Sequence, residues 1–204
     1  ACVQKTSEAE ALVAGGVTDI YISNEVISLS KLERVAHMAR ALEAKNGQIS
    51  IAVDSVEGIR RLAAALDTVR ASMRVFVEID VGQNRCGVQP GAPALALAQE
   101  VLRHPQLHFA GLQAYHGKAQ HLRSAAARAE AIQHVVQAVR STRALIEAAG
   151  IPVPLVTGAG TGTFIHEAAS GVYGELQPGS FLFMDADYAS NEADPAAPVF
   201  EPAL

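Results

Sequence analysis

Glycine and threonine residues cluster in one short segment that could bind an anion. The segment is Thr157-Gly158-Ala159-Gly160-Thr161-Gly162-Thr163, and it lies between an apolar run and a stretch that begins like a helix. Glycines let the backbone turn tightly and leave amide groups uncovered, and threonine hydroxyls can donate to the same anion. Because such amides at a strand-to-helix turn often bind phosphate, the segment predicts a phosphate cradle. An ordinary glycine-rich turn is the alternative.

Polar residues also stand where the predicted strands end. They are Gln4, Asn24, Asp54, Arg85, His116, Thr157 and Asp185. Arg85, between two glycines, is interpreted as a fixed cation for an anionic ligand or as a surface arginine that covers the sheet. Glu78 and Asp80 alternate with apolar residues in the preceding strand. We therefore expect both carboxylates to point inward and to pair with Arg85.

A histidine follows the predicted strand 107–115 directly. His116 precedes Gly117, and an imidazole with an ordinary pKa of about 6.5 can exchange a proton near neutral pH. His116 is therefore a predicted general acid or base. His116 and His121 do not form a specific zinc pattern, so no metal ligand is assigned to this chain.

The elements that must position these residues alternate along the chain. Seven apolar, strand-like segments are separated by segments of helical periodicity, which is typical of a parallel sheet buried on both faces. Seven strands are one fewer than a (β/α)₈ barrel has, and such barrels hold phosphate after their seventh and eighth strands. We predict an α/β fold, a TIM-type (β/α)₈ barrel lacking its first βα unit. A doubly wound open sheet is the alternative.

Local signals place some boundaries within this pattern. Ser7 and Glu10 have the spacing of a capping box, which predicts the start of the first helix. A proline at position 93 is expected in the first turn of a helix. A final β-rich stretch is predicted around Tyr173 and residues 181–183.

Composition excludes several classes of partner. A net charge of −5 gives no electrostatic footprint for nucleic acid, and no apolar run approaches the length of about 20 residues that spans a membrane. Two cysteines are too few for a disulfide framework, so a cytoplasmic location is expected. The chain opens on Ala1 within a strand-like run, which suggests that its beginning is missing.

Four segments together resemble one group of enzymes. Residues 78–88, 111–117, 157–163 and 176–188 keep the order and spacing of the D-threonine aldolase, 3-hydroxy-D-aspartate aldolase and D-serine dehydratase group. These are fold-type III pyridoxal phosphate enzymes, relatives of alanine racemase. The resemblance implies that residues 1–204 form a partial cofactor-binding barrel domain.

The resemblance implies a role for each matching position. Thr157, Gly160 and Thr161 match residues that hold the cofactor phosphate. Arg85 matches an arginine that lies against the ring oxygen of the cofactor, and Gln4 matches a glutamine near the same ring.

Three further positions match residues near the substrate. Tyr115 and His116 match a pair at a strand end, where the aldolases use the histidine as the base for the substrate hydroxyl. Tyr173 matches a residue of the same pocket.

Two parts of the group's pattern are not found in this sequence. The lysine that carries the cofactor belongs to a His-Ala-Lys-Thr motif on the first barrel strand, and the divalent metal (Mn, Mg or Zn) is held by a C-terminal β domain. We expect both outside residues 1–204. Members of this fold type commonly form dimers, so a homodimer is implied by the resemblance.

The implied activity is cleavage of a small D-3-hydroxy amino acid to glycine and an aldehyde with pyridoxal phosphate as cofactor. A dehydratase that eliminates water from the same substrates is the first alternative. A non-catalytic barrel that binds pyridoxal phosphate and a barrel for another phosphorylated ligand are the others.

Overall fold

A computed structural model of the protein describes residues 1–184 and 186–201, so Asp185 lies outside the described residues. The strands are β1 (Cys2–Val3), β2 (Asp19–Ile22), β3 (Gln48–Val53), β4 (Met73–Glu78), β5 (Leu107–Ala114), β6 (Leu155–Gly158) and β7 (Glu175–Leu176). The α-helices are α1 (Thr6–Ala14), α2 (Leu29–Glu43), α3 (Val56–Val69), α4 (Ala92–Val101), α5 (Ala125–Ala148), α6 (Phe164–Ala169) and α7 (Ala186–Ala189). Two 3₁₀ helices cover Gly117–His121 and Ser180–Leu182.

The described strands form one parallel sheet in the order β1-β2-β3-β4-β5-β6-β7. A doubly wound sheet reverses its strand order at a switch point, and this order has no reversal. The doubly wound alternative is therefore wrong, and the predicted alternation of parallel strands with helices is confirmed.

The sheet curls around its inner face. The hydroxyl of Tyr21 on β2 donates to the side-chain oxygen of Gln113 on β5. Because neighbouring strands are about 4.8 Å apart, a flat sheet would hold β2 and β5 roughly 14 Å from each other. Only a strongly curved sheet brings these side chains into contact.

Apolar side chains fill both faces of the curved sheet. The main core lies between the sheet and the surrounding helices, and it includes Ile22, Leu66, Val77 and Leu112. A smaller inner cluster forms a layer across the concave face, as in barrel interiors. Its buried members are Tyr21, Ala52, Phe76 and Ala110, with Leu155 packed against them.

Local signals fix most helix starts. The side chain of Ser55 accepts the amide of Gly58 at 3.2 Å, and α3 begins there. Helix α4 carries Pro93 in its first turn, as predicted. The capping box predicted from Ser7 and Glu10 is wrong.

In α1 the carboxylate of Glu8 accepts the two backbone amides before the helix, at 2.9 and 3.0 Å. Glu8 has this role because it lies three residues after Lys5, the residue that caps the start of the helix. Glu10 instead pairs with Arg34 on α2.

The strand predicted for residues 181–183 is also wrong. Those residues lie in and next to a 3₁₀ helix, and the amide of Phe181 donates to the hydroxyl of Thr161 at 3.1 Å. Pro178 cannot donate to a strand ladder, so the last strand ends before it. This segment therefore folds over the end of the sheet.

Candidate active site

The carboxyl ends of the strands surround a cavity of about 580 Å³. Its walls come from the ends of β1, β2 and β5 and from the loops that follow β4, β6 and β7. Five of the predicted site residues line it: Gln4, Arg85, Tyr115, Gly160 and Thr161. A second cavity of about 380 Å³ lies beside α6 and residues 188–200, and Thr161 and Tyr188 line both cavities. The strand-end cavity is the candidate active site because these five predicted site residues line it.

The loop after β6 presents backbone amides at the rim of this cavity. Ala159 adopts a left-handed conformation with φ 70°, which turns the chain sharply after the strand. The amides of Thr163 and Phe164 bond back to the carbonyl of Gly160 at 3.2 and 3.0 Å. Within the described residues, the amides of Gly160 and Thr161 have no hydrogen-bond acceptor. Two donors are therefore available to an anion in the cavity.

The predicted threonine hydroxyls differ in their availability. Thr157 donates to Glu175 at 2.6 Å and accepts from Gln177 at 2.7 Å, below the cavity. Thr163 donates to buried Glu167 at 2.8 Å. Among the described residues the hydroxyl of Thr161 accepts from Phe181 and has no acceptor of its own, so it keeps a proton to donate. The structure thus brings Thr161, and not Thr157 or Thr163, to the wall of the strand-end cavity.

Arg85 reaches the cavity from the loop after β4. Its guanidinium carbon lies 5.8 Å from the centre of the Tyr115 ring, a distance suited to a cation–π contact. The pairing predicted for Arg85 with Glu78 and Asp80 is wrong, because neither forms a salt bridge with it among the described residues. Asp80 instead accepts the amides of Gly82 and Asn84, at 3.0 and 2.9 Å, which shapes the loop.

His116 lies directly after β5 and beside the loop that carries Arg85. A Cβ on Gly82, whose φ is 119°, would lie 2.7 Å from Nε2 of His116, so only glycine leaves room for the ring. Burial lowers the pKa of His116, with Asp80 raising it and Lys118 lowering it further. The imidazole is therefore neutral at pH 7. His116 does not line the cavity itself but adjoins Tyr115, which does.

Tyr173 lies behind the cavity and not on its wall. Its hydroxyl donates to the carbonyl of Ala114 at 2.9 Å, and burial raises its pKa. Thr157, His116 and Tyr173 are the three residues matched by the resemblance that lie outside the lining, and the strand-end residues Asn24 and Asp54 lie outside it too.

A polar network that sequence reasoning missed extends from the wall of the cavity, where Gln113 lies. The side-chain amide of Gln113 donates to Glu78 at 2.7 Å, and Gln113 also receives the hydroxyl of Tyr21. Burial, followed by the proximity of Glu25, raises the pKa of Glu78 to about 8. Polar residues at inward positions of buried strands are the sequence signal that could have identified this network.

Three potential ligand groups also meet beside this network. The ligand atoms of Glu25, Asp54 and Cys86 lie within 4.8 Å of one another. Burial and the nearby Glu25 raise the pKa of Cys86 to about 12, so it is a thiol at neutral pH and not a nucleophile. Acidic groups often cluster without an ion, and no metal is assigned to them.

Comparison with known proteins places this geometry in a family. The model of the alanine racemase N-terminal domain matches residues 1–187. The chain is 45% identical over 193 residues to D-threonine aldolase of Arthrobacter sp, covering 95% of this chain and 50% of that protein. It is 38% identical over 187 residues to 3-hydroxy-D-aspartate aldolase of Paracoccus denitrificans (strain Pd 1222), covering 92% and 47%.

A comparison with a solved structure gives the same result as the sequence comparison. The structure of D-threonine aldolase from Filomicrobium marinum superposes with a TM-score of 0.93 at 42% identity, covering 99% of this chain and 53% of that one. The chain thus spans about half the length of the relatives it matches. It belongs to the alanine racemase N-terminal domain family.

Proposed function

We propose that the complete protein is a pyridoxal phosphate-dependent lyase that cleaves D-3-hydroxy amino acids to glycine and an aldehyde. The supporting observation is the strand-end cavity, in which two free backbone amides, a threonine hydroxyl and an arginine meet. The likeness to D-threonine aldolase and to 3-hydroxy-D-aspartate aldolase supports the reaction type.

The residues present fit a cofactor of this kind. A cavity of about 580 Å³ lies within the usual range for a bound cofactor, roughly 300 to 1,000 Å³. The amides of Gly160 and Thr161, with the Thr161 hydroxyl, would hold the phosphate. Arg85 and Gln4 would contact the ring. When bound, pyridoxal phosphate supplies an electron sink for the carbanion that bond cleavage leaves.

The chain's own residues would perform the remaining steps. Tyr115 forms one wall of the cavity and orients the substrate. His116 would accept the proton of the substrate's β-hydroxyl, and the carbonyl of the aldehyde forms as the Cα–Cβ bond breaks. A neutral imidazole is needed for this, in agreement with the lowered pKa of His116. The divalent metal (Mn, Mg or Zn) expected for the reaction would be held by residues other than those described.

We also propose a more complete architecture. Residues 1–204 would be a partial barrel domain, closed into eight strands by one further βα unit and followed by a β domain. The relatives that this chain matches are about twice as long as the chain, which supports the proposed architecture. A homodimer and a cytoplasmic location are part of the same proposal. Among the described residues, no helix is long and apolar enough to span a bilayer.

Product analysis tests the proposed function. The complete protein would be incubated with pyridoxal phosphate, Mn²⁺ and D-threonine, with L-threonine as the control. Equal amounts of glycine and acetaldehyde are expected from the D-isomer alone. A 2-keto acid with ammonia would establish the dehydratase instead.

Two further results would contradict a lyase. A stable cofactor absorbance band without any product would indicate a non-catalytic pyridoxal phosphate-binding barrel. The absence of that band after incubation with the cofactor would indicate a barrel for another phosphorylated ligand.

A further inference from the structure

Gln120 occupies a fully buried position between the loops that follow β5 and β6. It lies in the 3₁₀ helix Gly117–His121, and none of its surface is exposed. A buried amide side chain requires partners for both its oxygen and its nitrogen. Gln120 finds these partners in the two loops. One loop carries His116, and the other carries the amides proposed to bind an anion.

The oxygen of Gln120 binds the loop 157–163, which we call the anion loop. Its Oε1 accepts the amide of Gly162 at 2.9 Å. That amide is consequently directed toward the side chain of Gln120, while the amides of Gly160 and Thr161 have no acceptor among the described residues. The Gly162 amide therefore anchors the loop, and the amides of Gly160 and Thr161 remain available to a ligand.

The nitrogen of Gln120 makes two contacts. Nε2 donates to the Thr163 hydroxyl at 2.8 Å and to the backbone carbonyl of His116 at 3.2 Å. Thr163 in turn donates to Glu167 on α6 at 2.8 Å. One side chain thus connects the anion loop, the helix after it and the segment that carries His116.

The anion loop also packs closely against both the side chain and the backbone of Gln120. A Cβ on Gly160 would lie 2.6 Å from Oε1 of Gln120, and a Cβ on Gly162 would lie 2.8 Å from the Gln120 carbonyl oxygen. Both distances are shorter than real Cβ contacts. The glycines therefore let the loop rest directly on Gln120, and the position of this side chain sets the position of the loop.

We propose that Gln120 is a positioning residue, which holds the anion loop so that the amides of Gly160 and Thr161 face the phosphate group of the cofactor. This inference rests on the proposed function, because it concerns the same ligand. Gln120 does not touch the phosphate itself. Its effect should appear only for ligands that carry a phosphate.

The test compares two probes that differ only in this group. Dissociation constants of pyridoxal phosphate and of pyridoxal would be measured by absorbance on the complete protein without cofactor. The dissociation constant of pyridoxal divided by that of pyridoxal phosphate reports the contribution of the phosphate. In Gln120→Met, which keeps the volume but loses all three side-chain hydrogen bonds, we expect this ratio to fall about 10-fold, because the amides of Gly160 and Thr161 would no longer be held toward the phosphate. The affinity for pyridoxal should stay within about 2-fold of that of the unmodified protein. Pyridoxal has no phosphate, so it makes no hydrogen bond that the position of the loop could change.

A matched control and a second variant complete the test. Gln133→Met changes an exposed glutamine on α5 and should leave the ratio unchanged. If Gln120→Met does not fold, Thr163→Val removes the hydroxyl to which Gln120 donates and should lower the ratio in the same direction. Equal weakening of both probes would indicate general loosening and would overturn the inference.

The failure of this inference differs from the failure of the proposed function. An unmodified protein that prefers pyridoxal phosphate, with Gln120 and Thr163 variants that keep the same ratio, refutes only the role of Gln120. An unmodified protein that does not distinguish the two probes refutes the phosphate loop and, with it, both proposals.

Discussion

The guanidinium carbon of Arg85 lies 5.8 Å from the centre of the Tyr115 ring, and both side chains line the strand-end cavity. The ring holds the cation at the wall, so Arg85 can face an anionic or polar ligand group without an acidic partner. A charge-assisted hydrogen bond from this position contributes on the order of 2 kcal/mol.

We expect Arg85→Ala to weaken cofactor binding by about 10-fold or more, because the charge-assisted bond is lost. Arg85→Lys should recover part of the affinity, since it keeps the charge without the planar fork. Cofactor content after dialysis measures the effect. Arg40→Ala, which changes an exposed arginine on α2, serves as the control. Unchanged cofactor content in Arg85→Ala would refute the assigned place of this residue.

His116→Asn should reduce kcat by about 100-fold or more, because general base catalysis contributes at least that factor. Cofactor affinity should change little, which separates a catalytic role from a binding role. Because burial lowers the pKa of His116 below its ordinary value of 6.5, the acid limb of the kcat/KM profile should have its midpoint below pH 6.5.

The exposed His37 on α2 offers a control for this change. His37→Asn should retain full activity and the same pH profile. A His116→Asn protein that retained the acid limb would show that another group is the base.

Glu167→Gln should stabilise the protein at alkaline pH. Burial raises the pKa of Glu167 from 4.5 to about 7 in the folded protein. The folded state therefore binds more protons than the unfolded chain between these values, and stability falls as the pH rises through this interval. Gln imitates the protonated form, so the variant should gain on the order of 2 kcal/mol at pH 8 and little at pH 4.

Urea unfolding of the complete protein at the two pH values measures this difference. Glu130→Gln, at an exposed position on α5, should show no such pH-dependent gain. A Glu167→Gln protein that gained equally at both pH values would contradict the raised pKa.

Tyr21→Phe should destabilise the protein by about 1 kcal/mol, because the buried oxygen of Gln113 loses its donor. Gln177 also approaches this oxygen, at 3.4 Å, and limits the loss. The midpoint of urea unfolding should fall while its slope stays the same. An unchanged midpoint would mean that the bond across the concave face contributes nothing to stability.

The sequence could predict the order of elements because each strand is a nearly continuous apolar run and each helix has an apolar face. It also predicts an anion-binding role for the loop 157–163, since glycines and threonines cluster only there. Helix α1 shows where such reasoning fails. Two glutamates near its start compete for the same amides, and only the geometry of the first turn selects Glu8 over Glu10.

The details of the site depended on contacts between distant residues. The Thr157 hydroxyl is used by Glu175 and Gln177, which are 18 and 20 residues away. Gln120 belongs to no motif and binds Gly162, which is 42 residues away. No local pattern encodes such partners, because they meet only when the curved sheet brings its loops together.

The bond between Tyr21 and Gln113 also bears on how the chain reaches its native state. These residues are 92 positions apart, and they meet only after the strands between them have assembled and bent. Loop closure over such a separation is entropically costly, so we expect this contact to form late in folding. A mutation at Tyr21 should accelerate unfolding more than it slows refolding, and the kinetic lifetime of the folded protein would depend on one phenol.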